Sequence, residues 1–305
     1  MLTPKLLLVH REVVESGTLA AAAAALRFTV SGVSQQLSAL EKEAGVPLYE
    51  KAGRRLRPTP AGLLLAERAD RILAEIRDAE SALADLSEGR TARLRVVSFH
   101  SAGEALLPSA IARLRRSMPE LRVHPVVEDT EGALRRLRGG DAEVVVAVDP
   151  YPQDAPPEDD LHRFHLLDDE YRILLPEKHP LAKRRRIDLL DLADTNWIIT
   201  AAVDDYLPEV THDVCRRAGF SPRVAAEGDQ FSLTQGYVAV GLGVALVPLL
   251  SLGAVRRHVV VRRLKQPPEP RHIWVLTRPA LLPDPAVNAM LGALVTAAVT
   301  GSTSR

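Results

Sequence analysis

Cysteine is almost absent from this chain of 305 residues, in which Cys215 is the single thiol. One thiol excludes a disulfide framework within the chain and is typical of a protein from a reducing compartment. Long hydrophobic runs are missing as well, since no stretch of about 18 uncharged apolar residues occurs that could span a membrane. Near the N-terminus, Lys5, Arg11 and Glu12 interrupt the apolar residues, unlike a secretory signal. We therefore expect a cytoplasmic protein that makes no contact with a membrane.

An excess of charge of either sign is also missing. The 39 Lys and Arg residues balance the 39 Asp and Glu residues, so no global positive field indicates a nucleic-acid partner. The balance conceals a local basic cluster, because Lys51, Arg54, Arg55 and Arg57 fall close together. A positive field is thus expected in one segment and not over the whole chain.

The usual signatures of catalysis and of metal binding do not occur. The sequence has no Gly-x-Ser-x-Gly elbow and no His-x-x-x-His pair. His100 and Ser101 are neighbours at a predicted strand end, where they point to opposite sides and cannot form a Ser–His pair. His162 and His165 lie in an extended segment, where surface or packing roles are favoured over a metal. We expect no catalytic residue, no metal site and no cofactor.

The segment 18–40 predicts two short helices joined by a tight turn. Thr29 is a plausible N-cap, and the helix after it places Val33, Leu37 and Leu40 at the spacing of a core face. Small polar groups occupy the opposite face. Hydroxyls and amides both donate and accept hydrogen bonds, as reading base edges in a major groove requires. A helix-turn-helix that reads DNA is favoured over an ordinary surface helix.

Residues 50–58 follow as a short hairpin with Gly53 at its tip, which carries the basic cluster. Basic residues at a hairpin beside a helix-turn-helix form a wing that contacts phosphate or the minor groove. Taken alone, the segment would instead be read as a solvated basic loop.

A long helix is predicted from Thr59-Pro60 to about Ser87, with Thr as N-cap and Pro at the first helical position. Its apolar residues recur in steps of four and three, the mean spacing of a coiled-coil seam. The candidate dimerisation residues are Leu65, Ala69, Ile72, Ile76, Ala79, Leu83 and Leu86. Dimerisation implies a DNA site of two inverted half-sites.

Beyond residue 92, β-branched runs alternate with helical segments. Strands are predicted at 93–98, 121–127 and 143–148, with helices at 103–117 and 131–138. A second set of strands and helices follows from residue 171 onward. The β-α-β rhythm of residues 93–148 predicts a parallel sheet with helices on both faces. The two sets together predict two α/β lobes with a cleft between them.

Taken in order, these segments resemble the LysR-type transcriptional regulators over essentially the whole chain. Residues 29–41 (TVSGVSQQLSALE) resemble the recognition helix of that family, and 57–62 (RPTPAG) resemble the start of its linker helix. Weaker ordered similarities include 179–182 (HPLA) and 241–248 (GLGVALVP). Two residues depart from the common pattern of the family. Val30 stands where many members have Gln or Pro, and Gln35 stands where many have Arg.

The resemblance implies an α/β multidomain fold. An N-terminal winged helix-turn-helix, all-α with a small β wing, would span 1–59, and a linker helix 60–88. A bilobed, periplasmic-binding-protein-like effector domain would span 92–305, with lobe I at about 92–166 plus 270–305 and lobe II at about 167–269. Expected partners are double-stranded DNA, a small effector, further copies of the chain as a homodimer or homotetramer, and RNA polymerase.

Two sets of candidate site residues follow. The candidate DNA-binding residues are Thr29, Ser31, Ser34, Gln35, Gln36, Ser38, Arg54 and Arg55. Helix N-termini after strands leave backbone N–H groups free for a carboxylate, which points to an effector site near Ser101 and Thr200. The candidate effector-binding residues are Ser101, Ala102, Thr130, Thr200, Ala201, Gln230 and Phe231. The alternative is an enzyme or small-molecule-binding protein built on the bilobed module.

Overall fold

The computed structural model describes residues 1–52, 55–87, 93–148, 160–200 and 207–303. The chain divides into two compact units, formed by 1–91 with 135–142 and by 92–134 with 143–305.

In chain order, the α-helices are α1 (Pro4–Ser16), α2 (Leu19–Leu26), α3 (Val30–Ala44), α4 (Pro60–Ser87), α5 (His100–Ala105), α6 (Leu107–Ser117), α7 (Thr130–Arg138), α8 (Leu207–Arg217), α9 (Phe231–Ala239) and α10 (Pro285–Thr303). The strands are β1 (Tyr49–Ala52), β2 (Arg55–Pro58), β3 (Arg93–Ser98), β4 (Arg122–Val127), β5 (Val144–Val148), β6 (His162–Asp169), β7 (Tyr171–Pro176), β8 (Arg186–Ile187), β9 (Asn196–Thr200), β10 (Arg223–Gly228), β11 (Ala245–Pro248), β12 (Val259–Leu264) and β13 (Arg271–Thr277).

Threonine hydroxyls define where the first helices begin. Thr3, Thr18 and Thr29 each precede a helix in extended conformation and accept a hydrogen bond from the backbone N–H three residues later. This satisfies one of the N–H groups that a helix start leaves without a partner. Gly17 and Gly45 end α1 and α3 in the left-handed conformation that glycine adopts without strain.

The first unit packs α1 against α3 and α4. One buried cluster joins these helices to the start of the wing, through Leu6, Leu7, Leu40, Leu48, Ala69 and Leu73. A second cluster packs α2 and α3 against α1, through Val9, Val13, Ala22, Ala23, Val33 and Leu37. The small alanines of α2 let that helix approach its neighbours closely. Strands β1 and β2 pair antiparallel, with Tyr49 opposite Pro58, and form the predicted wing.

The second unit contains two lobes. In the first lobe, the sheet order is β4-β3-β5-β13-β6, and its core contains side chains of α5, α6 and α10. In the second lobe, β11-β7-β12-β8 form one sheet and β10-β9 another, and a bridge from Trp197 to Val244 connects them. The chain leaves the first sheet through β6 and returns to it through β13.

The parallel pairing predicted for the first three strands of this unit is confirmed, but the strands that join them later in the chain pair antiparallel. Strands β3, β4 and β5 are parallel, but β13 pairs antiparallel with both β5 and β6. Strand β7 is antiparallel to β11 and β12. Hydrophobic periodicity carries no information about strand direction, and the return of the chain from the second lobe reverses β13.

The helix predicted at 103–117 is also different in the structure. It begins earlier, at His100, and is divided at Leu106 into α5 and α6. Leu106 precedes a segment with Pro108 near its N-terminus, where proline is accommodated without loss of a hydrogen bond. The sequence pattern does not predict strand β12, because its arginines interrupt the apolar pattern of VVVRRL.

Among the described residues, no helix combines the length and the apolar character needed to cross a bilayer. Cys215 is buried in α8, and burial raises the pKa of its thiol to about 12. A thiol with so high a pKa is a poor nucleophile, so Cys215 has a packing role.

Candidate functional sites

Helix α3 carries two chemically distinct faces. Val33, Leu37 and Leu40 are buried, as predicted, and fix the orientation of the helix. The opposite face is exposed to solvent and consists of Ser31, Ser34, Gln35 and Ser38, with Gln36 half-buried at its border. This uncharged polar face is available to a partner over about two helical turns.

The side chains of this polar face differ in whether they already make hydrogen bonds within the described part of the chain. The Thr29 hydroxyl accepts from the Gly32 N–H at 3.1 Å and lies 3.2 Å from the Ser31 hydroxyl. The Ser38 hydroxyl donates to the Ser34 carbonyl at 3.1 Å. In the described part of the chain, the side chains of Ser34 and Gln35 make no hydrogen bond. Those two groups therefore reach a partner without breaking an existing contact.

The turn before α3 adds residues that sequence reasoning missed. Phe28 and Val30 are 42% and 48% exposed, which is unusual for large apolar side chains at a turn. The Lys5 ammonium lies 5.7 Å from the centroid of the Phe28 ring. Apolar groups in this position can contact a thymine methyl group. The signal in the sequence is an aromatic residue placed two positions after the predicted helix end at Leu26.

The wing is only partly described. Arg57 in β2 is exposed, and it was not among the predicted DNA-binding residues. Arg54 lies outside the described residues, and of Arg55 the backbone is described but not the side chain. The Glu41 carboxylate of α3 accepts hydrogen bonds from the N–H groups of Leu48 and Tyr49, at 2.8 and 3.0 Å. The start of the wing is thereby fixed to the helix.

His10 joins α1, the wing and α4. Its Nε2 lies 2.9 Å from the Gly62 carbonyl and its Nδ1 lies 2.8 Å from the Tyr49 hydroxyl. A carbonyl only accepts, so Nε2 carries the proton and Nδ1 accepts from the tyrosine. Burial lowers the pKa of His10, and burial together with Glu41 raises the pKa of Tyr49. Both groups are thus held neutral at the centre of the unit.

The first part of the predicted seam of α4 packs into the core of its own unit, and the later part is exposed. Ala69 is fully buried and Leu65 partly buried against the core of the same unit. Further along, Ile72 and Leu83 are 42% and 66% exposed. Ala79 is exposed and Ile76 half-buried, while the side chain of Leu86 lies outside the description. The part of the seam open to a second chain therefore begins at Ile72.

A cavity of about 410 Å³ opens between the two lobes of the second unit. Its wall from the first lobe includes His100 and Glu104. The remaining lining residues come from α9 and the segment after β11, and are Gln230, Phe231, Ser232, Gln235, Ser251, Leu252, Gly253, Ala254, Val255 and Arg256. Two of the predicted effector-binding residues, Gln230 and Phe231, are among them.

Ser251 is the most informative residue of this cavity. Its side chain is buried, with 3% of the residue exposed, and its hydroxyl has no hydrogen-bond partner in the described part of the protein. Leaving a buried hydroxyl without a partner costs about 1–3 kcal/mol. By contrast, the Gln235 amide is fully engaged, donating to the Leu252 carbonyl at 2.8 Å and accepting from the Arg256 N–H at 2.7 Å. The cavity therefore combines a fixed wall with an unsatisfied polar group.

The other predicted effector-binding residues lie elsewhere. The Ser101 hydroxyl is buried and accepts from Arg271, while the Thr200 hydroxyl is 2.8 Å from that of Thr234. Ala102 is fully buried in the first-lobe core. Thr130 begins α7 half-buried, with a hydroxyl that has no partner among the described residues. Ala201 lies outside the description. Ser101 and Thr200 do not line the cavity, because internal hydrogen bonds turn both hydroxyls into the protein.

A second cavity, of about 650 Å³, lies in the second lobe beside β12. Its lining is strongly basic and includes Arg172, Lys183, Arg184, Arg185, Arg262 and Arg263. Three of these arginines have acceptors within the protein. Arg172 pairs with Glu170 at 2.8 Å, Arg184 pairs with Asp191 at 2.6 Å, and Arg262 donates to the Ala182 carbonyl.

Comparisons with known proteins cover both units. A family model described as "Bacterial regulatory helix-turn-helix protein, lysR family" matches residues 4–63, and one described as "LysR substrate binding domain" matches residues 87–298. The chain is 32% identical over 247 residues to the HTH-type transcriptional regulator MetR of Salmonella typhimurium, which covers 81% of this chain and 74% of MetR.

Solved structures show the same architecture. A full-length variant of OxyR from Pseudomonas aeruginosa matches with a TM-score of 0.62 at 20% identity, covering 97% of this chain and 98% of that one. Full-length CbnR in complex with its target DNA matches with a TM-score of 0.57 at 18% identity, covering 97% and 100%. These likenesses confirm the predicted fold class, an N-terminal helix-turn-helix followed by an α/β effector domain.

Proposed function

Because the chain belongs to the LysR family of transcriptional regulators, we propose that it binds an inverted-repeat DNA site as a dimer or tetramer and responds to a small carboxylate-bearing effector. DNA binding, transcription regulation and an effector-binding domain come with the family, which consists of regulators and not of enzymes. The oligomeric state, the DNA site and the ligand are the proposal. Because its partner is DNA, we also propose that the protein acts in the cytoplasm.

The exposed polar face of α3 carries the DNA-reading part of the proposal. Buried Val33, Leu37 and Leu40 hold the helix so that Ser34 and Gln35 project away from the core. A side-chain amide reads adenine through two hydrogen bonds in the major groove, while serine is compatible with several bases. Few charges lie on this face, so the basic wing supplies much of the phosphate binding. Among the wing arginines, Arg57 has a described side chain, and its exposure supports this role.

A fluorescence-anisotropy titration of the full chain with a labelled promoter fragment from its own locus tests this. We expect affinity to fall steeply with salt, because each neutralised phosphate releases counterions. The same titration with a scrambled fragment separates specific from general binding. Absence of binding at low salt, or binding without a salt slope, would contradict the proposal.

The exposed part of the α4 seam supports dimerisation. Ile72 and Leu83 place apolar area at the surface of a long helix, where a copy of the same helix can cover it. Two copies related by a two-fold axis present two α3 helices to successive major grooves. Replacing Leu83 with Glu should weaken self-association, measured by sedimentation velocity. An unchanged dimer would place the interface elsewhere. We also propose RNA polymerase as a partner of the DNA-bound protein.

The interlobe cavity supports the effector part. Ser251 offers an unsatisfied hydroxyl and Arg256 a guanidinium, the two groups that a small carboxylate binds most directly. Glu104 on the other lobe favours a ligand that also carries a cationic group. A ligand that contacts both walls would stabilise one arrangement of the lobes, and this population shift would change DNA binding.

A thermal-shift screen of small carboxylates and amino acids identifies the ligand. A ligand at about 100 times its Kd should stabilise the second unit by about 2.7 kcal/mol. Arg256→Gln should abolish the shift, whereas Arg257→Gln, at the exposed neighbouring residue, should preserve it. A flat response across the panel would count against the carboxylate proposal.

A further inference from the structure

The edge strand β6 and its neighbour β13 bring together a cluster that neither strand reveals by itself. It consists of His165, Asp168 and His272. The Asp168 Oδ1 lies 2.7 Å from Nε2 of His165 and 2.8 Å from Nδ1 of His272. One donor atom from each residue lies within 4.8 Å of the others. All three side chains are accessible to solvent at the edge of the first-lobe sheet.

A β-bulge explains why these side chains share one face. Asp168 is the cross-strand partner of His272, and His165 is the partner of Trp274, so Leu166 between them is unpaired. In a regular strand, His165 and Asp168 would point to opposite faces because side chains alternate. The unpaired Leu166 shifts the alternation by one residue, so that the side chains of His165 and Asp168 point to the same face as His272 and Trp274. Bulges of this kind re-aim side chains and occur frequently beside functional sites.

We propose that His165, Asp168 and His272 form a binding site for a divalent transition-metal ion of the class that prefers imidazole, such as Zn²⁺. Two imidazoles and one carboxylate are a donor set that such ions favour, with bonds of about 2.0–2.2 Å. Tetrahedral coordination with bonds of these lengths places two donor atoms about 3.4 Å apart. The Asp168 oxygen is now 2.7 and 2.8 Å from the two ring nitrogens, so on metal binding it would move away from each ring by less than about 1 Å. Solvent completes the coordination on the open side.

The surroundings of the cluster fit this role. The Glu269 carboxylate lies 4.0 Å from Nε2 of His272, the nitrogen that faces away from Asp168. At that separation the negative charge of Glu269 adds to the attraction of the site for a cation. The His165 ring contacts the edge of Trp274, with centroids 5.2 Å apart. An ion at this site would also link β6 to β13, the two strands through which the chain passes between the lobes.

Isothermal titration of the full-length protein with ZnCl₂, after removal of metals by a chelator, tests the proposal. We expect binding tighter than about 10 µM, and a weakening of roughly 100-fold in both His165→Ala and His272→Ala. His124→Ala is the matched control, because His124 is exposed on β4 at the opposite edge of the same sheet. Its affinity should equal that of the wild type.

Tryptophan fluorescence gives an independent readout. Cu²⁺ quenches a nearby indole, and Trp274 lies beside the site, whereas Trp197 is buried in the other lobe. Quenching by Cu²⁺ should disappear in Trp274→Phe while binding persists. Asp168→Asn keeps the shape of the side chain, and replaces the alanine variants if circular dichroism shows that they unfold. No Zn²⁺ binding by the wild type, a loss below tenfold in either histidine variant, or an equal loss in His124→Ala overturns the proposal.

Discussion

The guanidinium of Arg271 donates to the carboxylate of Asp169 at 2.6 Å, and both side chains are almost completely buried. The two residues are cross-strand partners in β13 and β6, where the chain passes from one lobe to the other. Asp169 also accepts from the Leu250 N–H at 2.9 Å, and Arg271 reaches the Ser101 hydroxyl at 3.2 Å. One buried ion pair thus connects β6 and β13 to each other, to the segment after β11 and to the start of α5.

Breaking this pair should destabilise the second unit strongly. Asp169→Leu leaves the Arg271 charge buried without its carboxylate, which we expect to cost about 3–5 kcal/mol. Ser101→Ala, which removes one hydrogen bond to the same guanidinium, should cost only about 1 kcal/mol. Urea unfolding of the full chain measures both. The double variant Asp169→Leu with Arg271→Met should recover much of the loss, and failure to recover would show that the pair contributes more than charge compensation.

His10 should make the first unit sensitive to acid. Because burial lowers its folded pKa, the unfolded chain binds the proton more readily than the folded chain does. The stability is therefore complete above about pH 6.5, the unfolded value, and decreases as the pH falls through that value toward the folded pKa. Hydrogen–deuterium exchange of α1 peptides, corrected for intrinsic rates, should show faster opening at pH 5.5 than at pH 7.5.

The comparison with His10→Gln isolates this effect. The stability difference between wild type and variant should be larger at pH 7.5 than at pH 5.5, because only the wild type loses stability through this group. The exposed His124→Gln should leave the pH profile unchanged. An equal difference at both pH values would contradict the assignment of a neutral buried His10.

Two helical glycines should respond oppositely to alanine. A Cβ at Gly62 in α4 would overlap the Leu48 carbonyl oxygen, a backbone atom that cannot move away cheaply. At Gly292 in α10, nothing lies within 4 Å of the added carbon. Gly292→Ala should therefore stabilise the protein by up to about 1 kcal/mol, while Gly62→Ala destabilises it by about 1–3 kcal/mol. Thermal unfolding of both variants decides this, and a stabilising Gly62→Ala would refute the close approach of α4 and the wing.

Gln35 should contribute to sequence discrimination. Gln35→Ala removes an amide that makes no hydrogen bond to any described residue, so the loss of about 1–3 kcal/mol should appear only in DNA binding. Anisotropy titrations should show a smaller ratio between the cognate and the scrambled fragment, with an unchanged salt slope. Gln266→Ala, at an exposed position of the second unit, provides the control. A uniform loss on all sequences would assign Gln35 to phosphate contact instead.

Local signals in the sequence predicted the first unit well. The hydroxyl of Thr29, the Thr59-Pro60 pair and the spacing of Val33, Leu37 and Leu40 act within one or two helical turns, and the structure agrees with each. The predicted effector-binding residues illustrate the limit of such signals. Ser101 and Thr200 follow strands as expected, yet distant partners, Arg271 and Thr234, occupy their hydroxyls.

Local sequence signals were sufficient for the helices of the first unit, the caps at Thr29 and Thr59, the buried face of α3 and the order of the domains, because periodicity and capping depend on neighbouring residues. Tertiary structure decided the direction of β13, the lining of the interlobe cavity and the close approach at Gly62. It also decided the buried pair of Asp169 with Arg271 and the cluster of His165, Asp168 and His272, whose two strands are far apart in the chain. Strand register and a single bulge bring these groups together, and neither leaves a local pattern in the sequence.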